Sequence, residues 1–204
     1  MDGPHGTYIV LILSAGASFL LGSLPFGKLI SQWAGQIDIT RLGSGNIGAT
    51  NVSRALGLKW GILTLLLDLL KGFIPLIIYA LAYSDSDLEL AILGLSALIG
   101  HQFSPFMRFR GGKGVATSLG VFLAIAPSHA LIALAFFILT VYLTDFVSLG
   151  SLLAALLIPI LFILSGKSTA LTLTALIMAA LVFFRHKANI LRLIKGEERG
   201  WRRR

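Results

Sequence analysis

Six apolar stretches separated by short polar segments set the plan of the chain: residues 8–26, 60–82, 88–101, 115–144, 146–166 and 168–184. The first holds 19 residues without a charge, about the length that crosses a bilayer as a helix. It lacks the basic leader of a signal peptide and is followed by further apolar runs, so it reads as a first membrane span. The stretch 115–144 runs for 30 residues without Asp, Glu, Lys or Arg, too long for one ordinary span. Pro127-Ser128-His129 is its natural break, which predicts two short helices of about 12–15 residues each.

The charges orient these spans. Of 17 Lys and Arg, four lie in 28–59, three in 108–113 and eight in 185–204. Basic loops mark the cytoplasmic side of a membrane protein. If the three basic segments share that side, an even number of crossings lies between each pair. The expected fold is therefore an all-α, polytopic helix bundle forming a single domain over 1–204. It has seven spans, the N-terminus outside and the C-terminus in the cytoplasm; a five-span arrangement is the fallback. Composition agrees, with 56% hydrophobic residues, 13% charged and mean hydropathy +0.87, where soluble domains carry about a quarter charged. A net charge of +8 concentrated in juxtamembrane loops argues against nucleic acid as a partner. The absence of cysteine excludes disulfides and thiolate chemistry.

Residues 43–54, GSGNIGATNVSR, carry the densest polar chemistry. Closely spaced glycines let backbone approach a ligand. Ser44, Asn46, Thr50, Asn51 and Ser53 add neutral donors, and Arg54 adds a planar fork suited to phosphate. An oxyanion-binding loop is the reading preferred over a plain turn between helices. Residues 101–117, HQFSPFMRFRGGKGVAT, place a second glycine-rich turn before an apolar run. A helix starting there would offer unpaired N–H groups to an anion. The spacing does not match G-x-x-x-x-G-K-[ST], so it is not a nucleotide P-loop. Phe103, Phe106, Met107 and Phe109 fit the membrane interface or the entrance for an acyl chain.

The segment 185–198 reads as a continuing amphipathic helix, with Ile190, Leu191, Leu193 and Ile194 toward membrane or bundle. His186 and Asn189, three apart, can face inward. Within 60–82, Asp68 and Lys71 share a helix face. They form either a buried ion pair or a route by which Lys71 reaches an anionic ligand. Three inner segments thus bring phosphate-type donors to one membrane surface beside apolar helices that can shelter a hydrocarbon tail. Chemistry joining a phosphorylated molecule to a lipid fits this better than transport of a small phosphorylated anion, because the polar residues do not lie near the midplane.

SLPFG at 23–27, GSGNIGATN at 43–51, Gly100-His101 with GGKGVAT at 111–117, and RHKANI at 185–190 occur in this order. Together they resemble the bacterial acyl-phosphate:glycerol-3-phosphate acyltransferase family over nearly the whole chain. The resemblance implies a seven-helix enzyme of the bacterial inner membrane with its site on the cytoplasmic side. Such an enzyme moves a fatty acyl group from acyl phosphate to the 1-hydroxyl of sn-glycerol 3-phosphate, giving 1-acylglycerol 3-phosphate (lysophosphatidic acid) and inorganic phosphate. It needs no cofactor or metal, and its partners are the two substrates, membrane lipids and, transiently, the enzyme that makes the acyl phosphate.

Carried onto this chain, the family's blocks fall on Ser44, Asn46, Thr50, Asn51 and Arg54, on Gly111, Gly112, Lys113 and Gly114 with His101 upstream, and on His186, Asn189 and Arg192 with Glu197 following. The catalytic set expected is Ser44, Arg54, Lys113 and His186. Gly43, Asn46, Thr50, Asn51, Lys71, His101, Gly111, Gly112, Gly114, Asn189 and Arg192 are expected to bind substrate or phosphate. The family's Asp-x-Arg is here Asp38-Ile39-Thr40-Arg41, so Arg41 is given no substrate contact. Acyl phosphate is a mixed anhydride and already holds a good leaving group. Direct attack by the glycerol hydroxyl is therefore expected, with Lys113, Arg54 and the loop amides stabilising the departing phosphate. The donor's own phosphate or His186 takes the proton; a Ser44 acyl-enzyme is the alternative.

Overall fold

The computed structural model describes residues 4–202. All regular structure among them is helical: α1 (Pro4–Ser23), α2 (Phe26–Gly35), α3 (Ala49–Leu56), α4 (Leu58–Ala82), α5 (Asp87–Gln102), α6 (Val115–Ile125), α7 (Pro127–Thr144), α8 (Val147–Leu164), α9 (Thr169–Arg185) and α10 (Lys187–Ile194). Five segments are long and apolar enough to cross a membrane: Tyr8–Gly35, Leu58–Ala82, Asp87–Met107, Pro127–Thr144 and Val147–Leu164. The α9–α10 pair makes a sixth if its 64° bend lies within one span, and α6 is a shorter apolar helix.

Proline sets the breaks. Pro25 separates α1 from α2, and Pro127 occupies the first turn of α7, where its missing N–H costs nothing. The expected division of 115–144 is present, but its halves are unequal at 11 and 18 residues. The residues 28–59, expected as one polar segment, fold into α2, a 3-10 turn at Ile39–Arg41 and α3. The last helix does not continue from α9; it breaks at His186.

Small residues let the helices approach closely, as membrane bundles require. A Cβ on Gly22 or Gly100 would collide with the backbone of α5 or α1 respectively, and Ser18 Oγ donates to the Leu93 carbonyl at 2.8 Å. Between α4 and α6, a Cβ on Gly72 or Gly120 would likewise strike the carbonyl of Thr117 or Leu69. Thr117 Oγ1 donates to the Asp68 carbonyl at 3.0 Å. The main core gathers Leu76, Leu93, Leu98, Val121, Phe162, Leu171 and Met178. A smaller core of Ile30, Ile39, Ile47 and Val52 sits beneath the first glycine-rich loop and seats it on α4 through Trp60 and Leu67.

Lys71 settles as a structural group. Its Nζ lies 2.8 Å from Asp68 Oδ1 and donates to the Leu24 carbonyl at 2.8 Å, tying α4 to the α1–α2 break. Both side chains are buried, so loss of either partner would leave an uncompensated charge, at about 3–5 kcal/mol. With its hydrogen bonding directed there, Lys71 is not placed to bind phosphate, contrary to its expected role.

Candidate active site

The three basic segments meet at one end of the bundle, each shaped by a different device. In the first loop, Gly43 takes φ +60° and Gly45 φ +68°. Asn51, at the start of α3, organises the turn. Its Nδ2 donates to the carbonyls of Ile39, Leu42 and Asn46 at 3.3, 3.0 and 2.9 Å, and its Oδ1 accepts from the Ser44 N–H at 3.1 Å. Asn51 therefore serves as scaffold: both of its amide N–H groups are spent on carbonyls of the loop, although the residue also borders the cavity. What it achieves is to hold Ser44, Asn46 and Thr50 along the rim of a cavity.

The second loop is clamped from below and from the side. The N–H groups of Gly111 and Gly112 donate to the carbonyls of Gln102 and His101, both at 3.1 Å. Gln102 Nε2 donates to the Lys113 carbonyl at 2.9 Å. Arg185 donates through Nε to the Gly112 carbonyl at 3.0 Å and through Nη2 to that of Gly111. Gly111 and Gly112 were expected to present their amides to phosphate; those amides instead point into the protein. Gly112 has no room for a side chain because the His101 ring lies against it. His101 thus supports the loop, and its Nδ1 lies 3.8 Å from Asp68 Oδ1. Gly114 adopts φ +87° with Leu98 filling the space a Cβ would need, turning the chain into α6. The unpaired N–H groups at the start of that helix remain to face an anion, and Gly114, Val115 and Ala116 line the cavity.

Lys113 is the cation this turn delivers. Its Nζ donates to Asn189 Oδ1 at 2.6 Å. Burial, reinforced by Arg192, Arg54 and Arg185 and opposed by Glu198, pushes its pKa down to about 8. His186 is buried at the α9–α10 break. Its Nδ1 faces the Val182 carbonyl at 2.8 Å. A carbonyl only accepts, so Nδ1 carries the proton and Nε2 of the neutral ring is left as an acceptor.

The third device is the chain after α10, which folds back across the site. Glu198 accepts from Ser148 Oγ at 2.7 Å, Asn189 Nδ2 at 2.6 Å and Arg192 Nε at 2.8 Å. Burial works to raise its pKa, but these donors hold it below the ordinary value. Arg54 Nη2 donates to the carbonyls of Arg199 and Gly200 at 3.3 and 3.0 Å, and the N–H groups of Trp201 and Arg202 reach Asp145 Oδ1. The carboxylate expected after α10 was Glu197; the structure gives that place to Glu198, while Glu197 is exposed. Asp145 anchors this strap. Neither Glu198 nor Arg185 was singled out as a site residue. RHKANI held the signal for Arg185, but two adjacent glutamates left no signal for Glu198.

A cavity of about 440 Å³ opens beneath these groups. Ser44, Asn46, Thr50, Arg54, Lys113, His186, Asn189, Arg192 and Glu198 form its polar mouth. Its walls are apolar faces of α6, α7, α8 and α9. A second, shallow pocket lies beside the mouth, bordered by Arg110, Gly111, Lys113, Arg185 and Arg192.

A family profile described as "Glycerol-3-phosphate acyltransferase" matches residues 12–196. The chain belongs to this family. The glycerol-3-phosphate acyltransferase of Desulfotalea psychrophila is 46% identical over 190 residues, covering 92% of this chain and 96% of that one. The enzyme of that name from Geotalea daltonii is 48% identical over 195 residues, covering 96% and 98%. Among solved structures, PlsY (YgiH), an integral membrane glycerol 3-phosphate acyltransferase in its glycerol 3-phosphate form, superposes with TM-score 0.90 at 38% identity, covering 94% of this chain and 95% of that one. The likeness to the lysophosphatidic acid form of PlsY is comparable, with TM-score 0.88. Family membership and the all-helical membrane architecture agree with the expectation from sequence.

Proposed function

We propose that this protein transfers a fatty acyl group from acyl phosphate to the 1-hydroxyl of sn-glycerol 3-phosphate, releasing 1-acylglycerol 3-phosphate and inorganic phosphate. The observation that carries the reading is the shape of the site, a cationic, donor-rich mouth set directly on a deep apolar cavity. A phosphate at Lys113 and the α6 start would leave an attached acyl chain running down among α6–α9.

The hydroxyl oxygen of glycerol 3-phosphate attacks the acyl carbon, the bond from that carbon to the phosphate oxygen breaks, and phosphate departs carrying the hydroxyl proton. His186 Nε2, the free acceptor of a ring that lines the mouth, takes a hydrogen bond from the 2-hydroxyl of the glycerol and so orients it, leaving the proton of the attacking hydroxyl to the departing phosphate. Lys113 and the α6 amides meet the negative charge that grows on the leaving phosphate. Asn189 holds Lys113, and Glu198 holds Asn189 and Arg192, so the cations are positioned before substrate arrives. Arg54 and Ser44, on the opposite rim, are assigned to the phosphate of the acceptor.

We place the polar mouth on the cytoplasmic face of the bacterial inner membrane, with seven crossings and the N-terminus outside. In support, α6 starts at the mouth and ends at Ile125, and His129 in the first turn of α7 meets Ser165 at the far end of α8 at 2.9 Å. This favours counting the short α6 as one of the seven crossings. The basic segments gather at the mouth, as the positive-inside rule expects.

The test uses purified protein in lipid with palmitoyl phosphate and labelled glycerol 3-phosphate, with palmitoyl-CoA as parallel donor. Labelled lysophosphatidic acid from the acyl phosphate alone is expected. Product from palmitoyl-CoA alone would overturn the donor assignment.

A further inference from the structure

Beneath the polar mouth the cavity has a floor built from side chains. On α8 its lining residues recur along one face as Ser148, Ser151, Ala155 and Ile158, and from His186 at the α9–α10 break they continue down α9 as Val182 and Met178. At 1.5 Å per residue, the depth from mouth to Ile158 or Met178 is about 12–15 Å. That is roughly half the thickness of a bilayer's hydrocarbon core. The descent ends at Phe122, Ala130, Ile158 and Met178, all buried. One turn beyond Ile158, the fully buried Phe162 packs edge-on against Phe122 at 5.8 Å between ring centroids and seals the base. Small residues, Ala133, Ala154, Ala155 and Ala179, line the wall within about one turn of the floor. The passage therefore stays open above and closes abruptly where bulky side chains from α6, α8 and α9 surround Ala130 of α7.

We infer that this floor measures the acyl chain, with Ala130 and Ile158 setting the longest chain that seats fully. The inference rests on the acyl-transfer reading above. An extended chain advances about 1.2 Å per single bond, as a backbone does over its three bonds per residue. The straight depth thus matches roughly ten to twelve carbons, and a longer chain must fold within the cavity. Filling the position of Ala130 raises the floor; trimming Ile158 lowers it. Neither residue touches the polar mouth, so the acceptor's binding stays unchanged. A methylene gained or lost in such a pocket changes discrimination by about 10- to 200-fold.

The experiment measures kcat/KM for decanoyl and hexadecanoyl phosphate with wild type, Ala130→Leu and Ile158→Ala in lipid. Ala130→Leu is expected to lower the hexadecanoyl-to-decanoyl ratio by about tenfold or more. Ile158→Ala is expected to raise it, with the KM for glycerol 3-phosphate constant in both. A ratio unchanged in active variants overturns the ruler. Should Ala130→Leu fail to fold, Ile158→Ala decides alone. The same variants are heated with 1-decanoyl- or 1-hexadecanoyl-glycerol 3-phosphate, and protection against unfolding is compared. If no acyl phosphate is turned over by wild type, the donor assignment falls. The ruler is then judged by protection: a shift between the two lipids with variant supports it, and equal protection overturns it.

Discussion

The two glycine-rich loops look alike as strings and are built on different principles. The loop at 43–48 is organised by one side chain, Asn51, whose amide gathers three carbonyls and one N–H. The loop at 111–114 is organised by backbone pairing to residues 101–102 and by the Arg185 guanidinium on its carbonyls. In both, the polar groups most conspicuous as ligands serve as scaffold, and the groups facing the cavity are those the scaffold leaves over: Ser44, Asn46 and Arg54 on one side, Lys113 and the α6 start on the other. The difference teaches that the first loop depends on a single residue for its shape, whereas the second spreads its support.

The largest effect expected from this comparison is functional. Lys113→Ala should lower kcat/KM about 10³-fold while the unfolding temperature stays near wild type, since the loop is held without its side chain. A parallel collapse of stability would show that Lys113 is scaffold as well. Next comes Asn51→Ala, which leaves several loop groups without their partner. It should cost about 2 kcal/mol or more of stability, read as lowered thermal unfolding in detergent. Near-normal stability would erase the distinction between the loops.

Glu198→Gln keeps the shape but removes the charge that anchors Arg192 beside Lys113, and should raise the KM for acyl phosphate about tenfold. Glu197→Gln, at an exposed position, should stay within about twofold. Equal effects of the two would argue against the strap as the element that positions the mouth.

These contrasts mark how far the sequence could be read. The long helices were legible because uncharged runs of bilayer length admit little else. The split at Pro127 was legible because 30 uncharged residues exceed one span and proline suits a helix's first turn; proline alone does not decide it, since Pro75 and Pro159 lie inside α4 and α8. The convergence of 43–54, 101–114 and 186–192 followed from charge placement. A string of residue types does not say which way an N–H points, so it does not reveal that the amides of Gly111 and Gly112 are tied to carbonyls. The choice between Glu197 and Glu198 depends on the turn after α10, where Gly196 takes φ +70°. The two readings of Lys71 are separated by its contact with the Leu24 carbonyl, a partner 47 residues away that spacing along one helix does not reveal.

The central claim is that Lys113, as a cation, holds the phosphate at the mouth. It is tested most directly by the pH dependence of kcat/KM for acyl transfer in wild type and Lys113→Arg. Burial pushes the Lys113 pKa down to about 8, so its charge is present below that pH and lost as pH rises through it. Because kcat/KM reports the free enzyme, wild-type activity should fall on an alkaline limb near pH 8. In Lys113→Arg, whose guanidinium stays charged, the limb should move well upward. The same limb in both proteins would contradict the account.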